Sequence, residues 1–196
     1  MPHVKNTNAQ TEIIVAVGQP HVKNRNVQTE IIKSLLLVRR LFCIQGIMME
    51  IRKLDYSFYN DNSHLKQTLS KERGYGIVVI SLEGGLKFGI PLRSNLPNKA
   101  CFVTKTEIVD GEEQKKGLDY SKALLIADDA YVSAAVFMIP VDEKDAISKK
   151  SQEIAEEFEK YVAKYIHAVK NGHTYTLGNR EYRFTTLQNY HSELGI

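Results

Sequence analysis

The chain predicts an α+β domain, with strands of an antiparallel sheet preceding a long helix. Two observations carry this. Residues 74–95, GYGIVVISLEGGLKFGIPLRSN, hold two apolar runs joined by Glu83-Gly84-Gly85. That is a hairpin pattern, because glycines supply the positive φ angles a tight turn demands. Residues 142–170 place Ile147, Ile154, Phe158, Tyr161, Val162, Tyr165, Ile166 and Val169 at helical spacing against a charged face, which predicts one amphipathic helix.

Taken in order, residues 50–54 read as a first strand. Residues 56–64 are turn-rich, and Asp61, Asn62 or Ser63 caps a short helix reaching about Leu69. Ile77, Val78, Val79 and Ile80 form a β-branched run suited to a strand covered on both faces. Leu86, Phe88 and Ile90 alternate with Lys87 and Gly89, the period of a strand with one buried face. Pro91 has no N–H for a ladder and is expected to end that strand. Arg93, Ser94 and Asn95 are thereby delivered into a loop, the usual place for a site. Residues 100–106 predict another strand, and 111–117 a mobile polar loop. Residues 120–127 and 131–139 read as strands or short buried segments. Pro140 stops the sheet, and Asn171-Gly172 stops the helix. The tail, 182–196, is expected to dock on the sheet.

Composition excludes several classes. There is no run of uncharged apolar residues long enough to span a bilayer. Only two cysteines occur, Cys43 and Cys101, without metal spacing. They fit a reducing compartment, the cytoplasm, and argue against a disulfide or zinc scaffold. The net charge of +3 is uneven. Residues 1–48 hold six Lys or Arg and two Glu, so of the chain's 26 basic and 23 acidic residues, 20 and 21 remain in 49–196. Any RNA-binding surface must therefore come from clustering of charge.

Residues 2–14 return as residues 20–32, with only Thr7/Arg25 and Ala9/Val27 differing. Two copies are too few for a solenoid, and the unit has little apolar periodicity. The apolar 34–38 precedes Arg39-Arg40, the reverse of a signal peptide. We expect 1–48 to be tandem DNA repeats read through as protein, upstream of a start at Met48 or Met49. The domain then occupies 49–196.

The chain has no P-loop, GxGxxG, HExxH or Cys/His cluster, so no cofactor or metal is expected. Asp128-Asp129 reads as a turn. Lys122 lies within an apolar run, where its ammonium faces either solvent or a polar cleft. Arg93, Ser94 and Lys122 together make a candidate metal-free site for RNA cleavage. That reaction needs donors for the charge building on the phosphate and groups that move protons. Arginine suits bidentate phosphate contact, and serine adds a donor. Tyr75 and Tyr120 offer faces on which unpaired bases could stack. Arg73, Asn95, Lys99 and His191 complete the candidate RNA contacts.

Residues 73–79 (RGYGIVV), 88–95 (FGIPLRSN), 117–126 (GLDYSKALLI) and 186–195 (TLQNYHSELG) resemble type III toxin–antitoxin toxins, the TenpN group foremost and ToxN/AbiQ more distantly. The resemblance covers essentially all of 49–196. It implies a compact, twisted antiparallel sheet or barrel with helices, similar to the MazF/PemK toxins. It also implies a metal-independent endoribonuclease leaving a 2′,3′-cyclic phosphate. The implied partners are cellular RNA and a tandem-repeat RNA antitoxin seated in a basic groove, giving a toxin–RNA hetero-oligomer active in phage defence by abortive infection. The repeat at 2–32 would then be antitoxin DNA read as protein. The ToxN loop pattern is Pro-Leu-Thr-Ser with a Lys two residues on. Pro91, Leu92 and Ser94 match it, Arg93 replaces the Thr, and Leu96 stands where the Lys would be. Ser94 is the matched catalytic candidate, with Arg93 or Lys122 as substitutes for the missing groups. Two other classes remain open: a non-catalytic toxin of the same fold that poisons a protein target, and an RNA-binding module.

Overall fold

The computed structural model describes residues 49–69, 75–82, 84–96 and 100–196, all within the unit Gln45–Ile196. The expected leader 1–48, the turn residue Glu83, and the candidate RNA contacts Arg73 and Lys99 lie outside the described residues. Six strands form one sheet: β1 (Ile51–Arg52), β2 (Ile77–Ser81), β3 (Lys87–Arg93), β4 (Cys101–Val109), β5 (Glu112–Asp119) and β6 (Leu124–Leu125). Their order is β1-β2-β3-β5-β4, with β6 also beside β3, and every pairing is antiparallel. The path has two ends, β1 and β4, so the sheet is open. Four α-helices are described: α1 (Tyr56–Asp61), α2 (Val141–Lys149), α3 (Ser151–Lys170) and α4 (Thr174–Gly178). The fold is α+β.

β3 is central because both of its faces and both of its edges find partners. Ile77 and Val78 on β2 are each wholly buried, one on either face, as a continuous β-branched run requires. Val78, Ile80, Phe88 and Ile90 face the main core with Ile154, Phe158, Tyr161, Val162 and Tyr165 of α3. Ile77 faces a smaller cluster with Leu54, Phe58, Leu124 and Ile126. The hairpin turn uses Gly84 and Gly85 at φ +86° and +85°.

Pro91 does not end β3. The strand runs on to Arg93, with Pro91 opposite Ile77. Along an antiparallel strand, backbone groups alternate between its two neighbours. Leu92 N–H donates to Gly76 O at 2.9 Å on the β2 side, and Lys87 O accepts from Ile126 N–H at 2.8 Å on the other. Pro91 belongs to that second set. There it falls between the β6 partner of Gly89 and the β5 partner of Arg93, so its missing donor leaves no ladder bond unmade.

Several other expectations are corrected. Residues 111–117 are not a loop: Glu112–Asp119 is β5, paired with β4 along a long ribbon. Asp110 and Gly111 make its turn at φ +53° and +82°. Residues 112–116 of β5 are Glu, Glu, Gln, Lys and Lys, so the apolar alternation that marks a half-buried strand is missing. The first helix precedes its expected position; Asp55 caps α1 by accepting from Ser57 N–H at 3.0 Å. Residues 120–127 are a 3-10 turn, Tyr120–Lys122, followed by the two-residue β6. Residues 131–139 contain no strand beyond a single bridge, Leu54 to Val132. The expected single helix is two, parted at Lys150, whose φ of −110° and ψ of 16° are not helical. α3 ends at Gly172, φ +64°, where His173 N–H donates to Ala168 O at 2.9 Å and Gly172 N–H to Val169 O at 3.1 Å. This is a Schellman closure.

The tail packs on the sheet. Tyr182, Thr185, Thr186, Leu187 and Tyr190 are all buried, and the Tyr190 ring lies 6.0 Å from Phe88 of β3.

Candidate functional site

Three strands meet where β3 ends. Arg93 pairs with Gly117 of β5, and Gly117 pairs with Val103 of β4. Gly117 holds φ +149°, and a Cβ there would stand 2.0 Å from Phe102 O. Only glycine permits that approach. Two residues past Ser94, Leu96 N–H donates to Lys115 O at 2.9 Å. Ser94 and Asn95 thus form a bend between two backbone anchors, and both are exposed.

Arg93 Nη1 donates to Asp119 Oδ2 at 2.6 Å; the guanidinium is 30% exposed and the carboxylate wholly buried. Asp119 Oδ1 accepts from Ser121 N–H at 3.0 Å and from Ser121 Oγ at 2.6 Å. A buried charge is tolerated only when paired and hydrogen-bonded, and three donors over two oxygens meet that need. Asp119 therefore does two things: it caps the 3-10 turn and fixes the arginine at the end of β3. One edge of the guanidinium is held, which leaves further N–H donors for an anion.

Lys122 stands on the same 3-10 turn. Its Nζ donates to Gln67 O and Phe184 O, each at 2.8 Å. Burial pushes its ammonium below the ordinary lysine range; the Asp119 charge opposes that, and the Arg93 charge adds to it. Two of its three protons are committed to carbonyls, so one remains for a ligand. Those carbonyls are themselves fixed. Gln67 sits at φ +63°, and Asn189 brackets its neighbour Lys66, accepting from Lys66 N–H and donating to Lys66 O, each at 2.9 Å. Thr186 Oγ1 contacts the carbonyls of Ser121, at 3.3 Å, and Ala123. The turn 120–122 is thus stapled to the 66–67 segment and to the tail.

Of the residues chosen from sequence, Arg93 pairs with Asp119, Lys122 stands on the 3-10 turn that Asp119 caps, and Ser94 and Asn95 follow Arg93 directly. Tyr120 does not join them as a stacking face. It is 3% exposed, its hydroxyl donates to Glu157 at 2.9 Å, and its ring packs against Phe158. The sequence places Tyr120 at the head of a strand-like run with a face free for stacking; the structure makes it the first residue of a 3-10 turn and buries it. Tyr75 is close through the backbone, since Gly76 bonds Leu92, but it is half-buried with its ring edge-on to Tyr59 at 6.4 Å. His191 lies on the tail, half-buried, its Nε2 2.8 Å from the Tyr165 hydroxyl.

Two residues at this site were passed over in the sequence. Asp119 had a signal: an Asp two before a Ser is an Asx-turn pattern. Phe184 had none, because it lies in a short irregular tail. The ribbon's lysines are not an unopposed basic strip: Lys105 pairs with Glu107 and Asp142, Lys116 with Glu107, and Lys115 with Glu113. Among the described residues, no group of three or more His, Cys, Asp or Glu could hold a metal, and no helix is long and apolar enough to cross a membrane. Comparison with protein-family models, with curated proteins and with solved structures finds no match.

Proposed function

We propose that residues 49–196 form a metal-independent endoribonuclease toxin of the type III toxin–antitoxin class, of the TenpN group and MazF/PemK-like in fold. One observation carries the reading: the Arg93 guanidinium is clamped by buried Asp119 at the rim of the sheet, with exposed Ser94 directly after it and Lys122 on the 3-10 turn that Asp119 caps. In this reading the ribose 2′-hydroxyl gives up its proton to water and attacks its neighbouring phosphate, and the bond to the 5′-oxygen breaks as that oxygen takes a proton back from water. A 2′,3′-cyclic phosphate and a 5′-hydroxyl result. Arg93 and the free proton of Lys122 face the charge that accumulates on the phosphate oxygens, and Ser94 adds a neutral donor. Preorganised donors of this kind lower a barrier because they need no reorganisation during reaction. The clamp supplies that rigidity. The partners are cellular RNA and a repeat-RNA antitoxin that occupies the same surface, and the setting is cytoplasmic phage defence.

The second reading is an RNA-binding module without cleavage. What favours it is that Arg93 and Lys122 already have protein partners, as purely structural cations do. Incubating the full chain with single-stranded RNA in excess EDTA separates the two. Cleavage that survives chelation and leaves cyclic phosphate ends supports the nuclease; bound but intact RNA supports the module.

A further inference from the structure

Phe184 is half exposed on a tail whose neighbours Thr185, Thr186 and Leu187 are buried. Its exposure alone is ordinary for a surface residue; what sets it apart is its company. Its ring carries the Arg183 guanidinium over it, 5.2 Å from the centroid, and Arg183 is itself exposed. The backbone beneath the ring is not free to move away. Phe184 O accepts from Lys122 Nζ at 2.8 Å, and the same ammonium holds Gln67 O at 2.8 Å, next to exposed Lys66. The Phe184 ring thus carries Arg183, its backbone is tied through Lys122 to the segment that holds exposed Lys66, and Lys122 itself stands on the 3-10 turn that Asp119 caps.

We infer that Phe184, backed by Arg183, is a stacking platform for one unpaired base of single-stranded RNA whose backbone runs past Lys66 and Lys122. This rests on the RNA-cleaving reading and names how that site holds its substrate. Aromatic faces accept any base, because every base presents a π-surface, and flanking cations hold the phosphates. The occupant is single-stranded. A duplex buries its bases against one another and presents none to an isolated ring.

The test uses the full chain and a fluorescent 2′-O-methyl decaribonucleotide, which keeps bases and phosphates but cannot be cleaved through a 2′-hydroxyl. Affinity is measured for wild type, Phe184→Ala, Phe184→Tyr and Arg183→Gln. Phe184→Ala should weaken binding about tenfold, and Phe184→Tyr should restore it. Arg183→Gln, which removes the cation behind the ring, should weaken binding severalfold, less than Phe184→Ala. The carbonyl link to Lys122 survives all these changes, and equal melting temperatures of the variants and wild type separate lost stacking from unfolding. Binding by Phe184→Ala equal to wild type, in a protein that still cleaves RNA, overturns the platform alone. A wild type that neither binds nor cleaves RNA overturns the platform and the nuclease reading together.

Discussion

Arg93 and Asp119 meet at 2.6 Å with very unequal exposure, the guanidinium partly in solvent and the carboxylate entirely out of it. Removing the arginine therefore does more than remove a phosphate contact: it strands a buried negative charge. Arg93→Ala should cost about 3 kcal/mol of stability. Asp119→Asn keeps an acceptor for Ser121 and should cost less. The double variant should be more stable than Arg93→Ala alone, because no orphan charge remains. Urea unfolding of the four proteins measures the cycle; simple additivity would mean the pair is not coupled.

Lys122 joins three segments through two carbonyls. Lys122→Met keeps the stem and loses both bonds, so it should cost about 1–3 kcal/mol. Its pH dependence has a definite sign. Folding lowers the ammonium pKa below its ordinary 10.5, so between the two values the unfolded chain binds more protons. The contribution of this residue to stability then rises with pH. The wild-type advantage over Lys122→Met should widen as pH climbs toward 10.5, as read by denaturant midpoints at several pH values.

Gly117→Ala tests whether the three-strand junction sets the site. The added carbon would meet Phe102 O at a φ that other residues avoid, so β4, β5 and the end of β3 must separate. The expected loss is about 3 kcal/mol or more. A melting temperature unchanged from wild type would show that the ribbon is not needed to hold Arg93.

Alkaline pH should unfold the domain through its tyrosines. Burial raises the phenols of Tyr120, Tyr161, Tyr165 and Tyr182, and pushes Tyr190 up to about 12. A raised folded pKa means stability that is intact below the unfolded value of 10 and is lost above it. Each such tyrosine withdraws about 1.4 kcal/mol per pH unit once the unfolded chain ionises. Tyrosinate absorbance and loss of helical circular dichroism should rise together above that pH; gradual ionisation in an intact fold would contradict the burial.

The parts of this fold that could be read from the sequence are those whose patterning reports burial. The 77–90 hairpin and the apolar stripe of α3 face the core at regular spacing, so the residues declare their element. β5 was missed because its Glu, Gln and Lys side chains touch solvent on both faces, and only Asp110-Gly111 marked the turn. Leu124, Leu125 and Ile126 imitate a long strand because a fully buried run has no period to separate strand from irregular chain. At the site, Arg93 and Lys122 were chosen for their chemistry. What joins them is Asp119, whose importance lies in a contact between residues 26 apart, a separation no local pattern records. Tyr120 was misplaced for the same reason, since its direction is set by the cap that Asp119 makes with Ser121.

The most direct test of the account replaces a single 2′-hydroxyl. The cleavage site on a short RNA is mapped in EDTA with the full chain, and the strand is remade with 2′-deoxyribose at that nucleotide alone. The account predicts cleavage of the first strand, much slower cleavage by Ser94→Ala with its stability within about 0.5 kcal/mol of wild type, and none of the deoxy strand. Equal cleavage of both strands, or of neither, would contradict it.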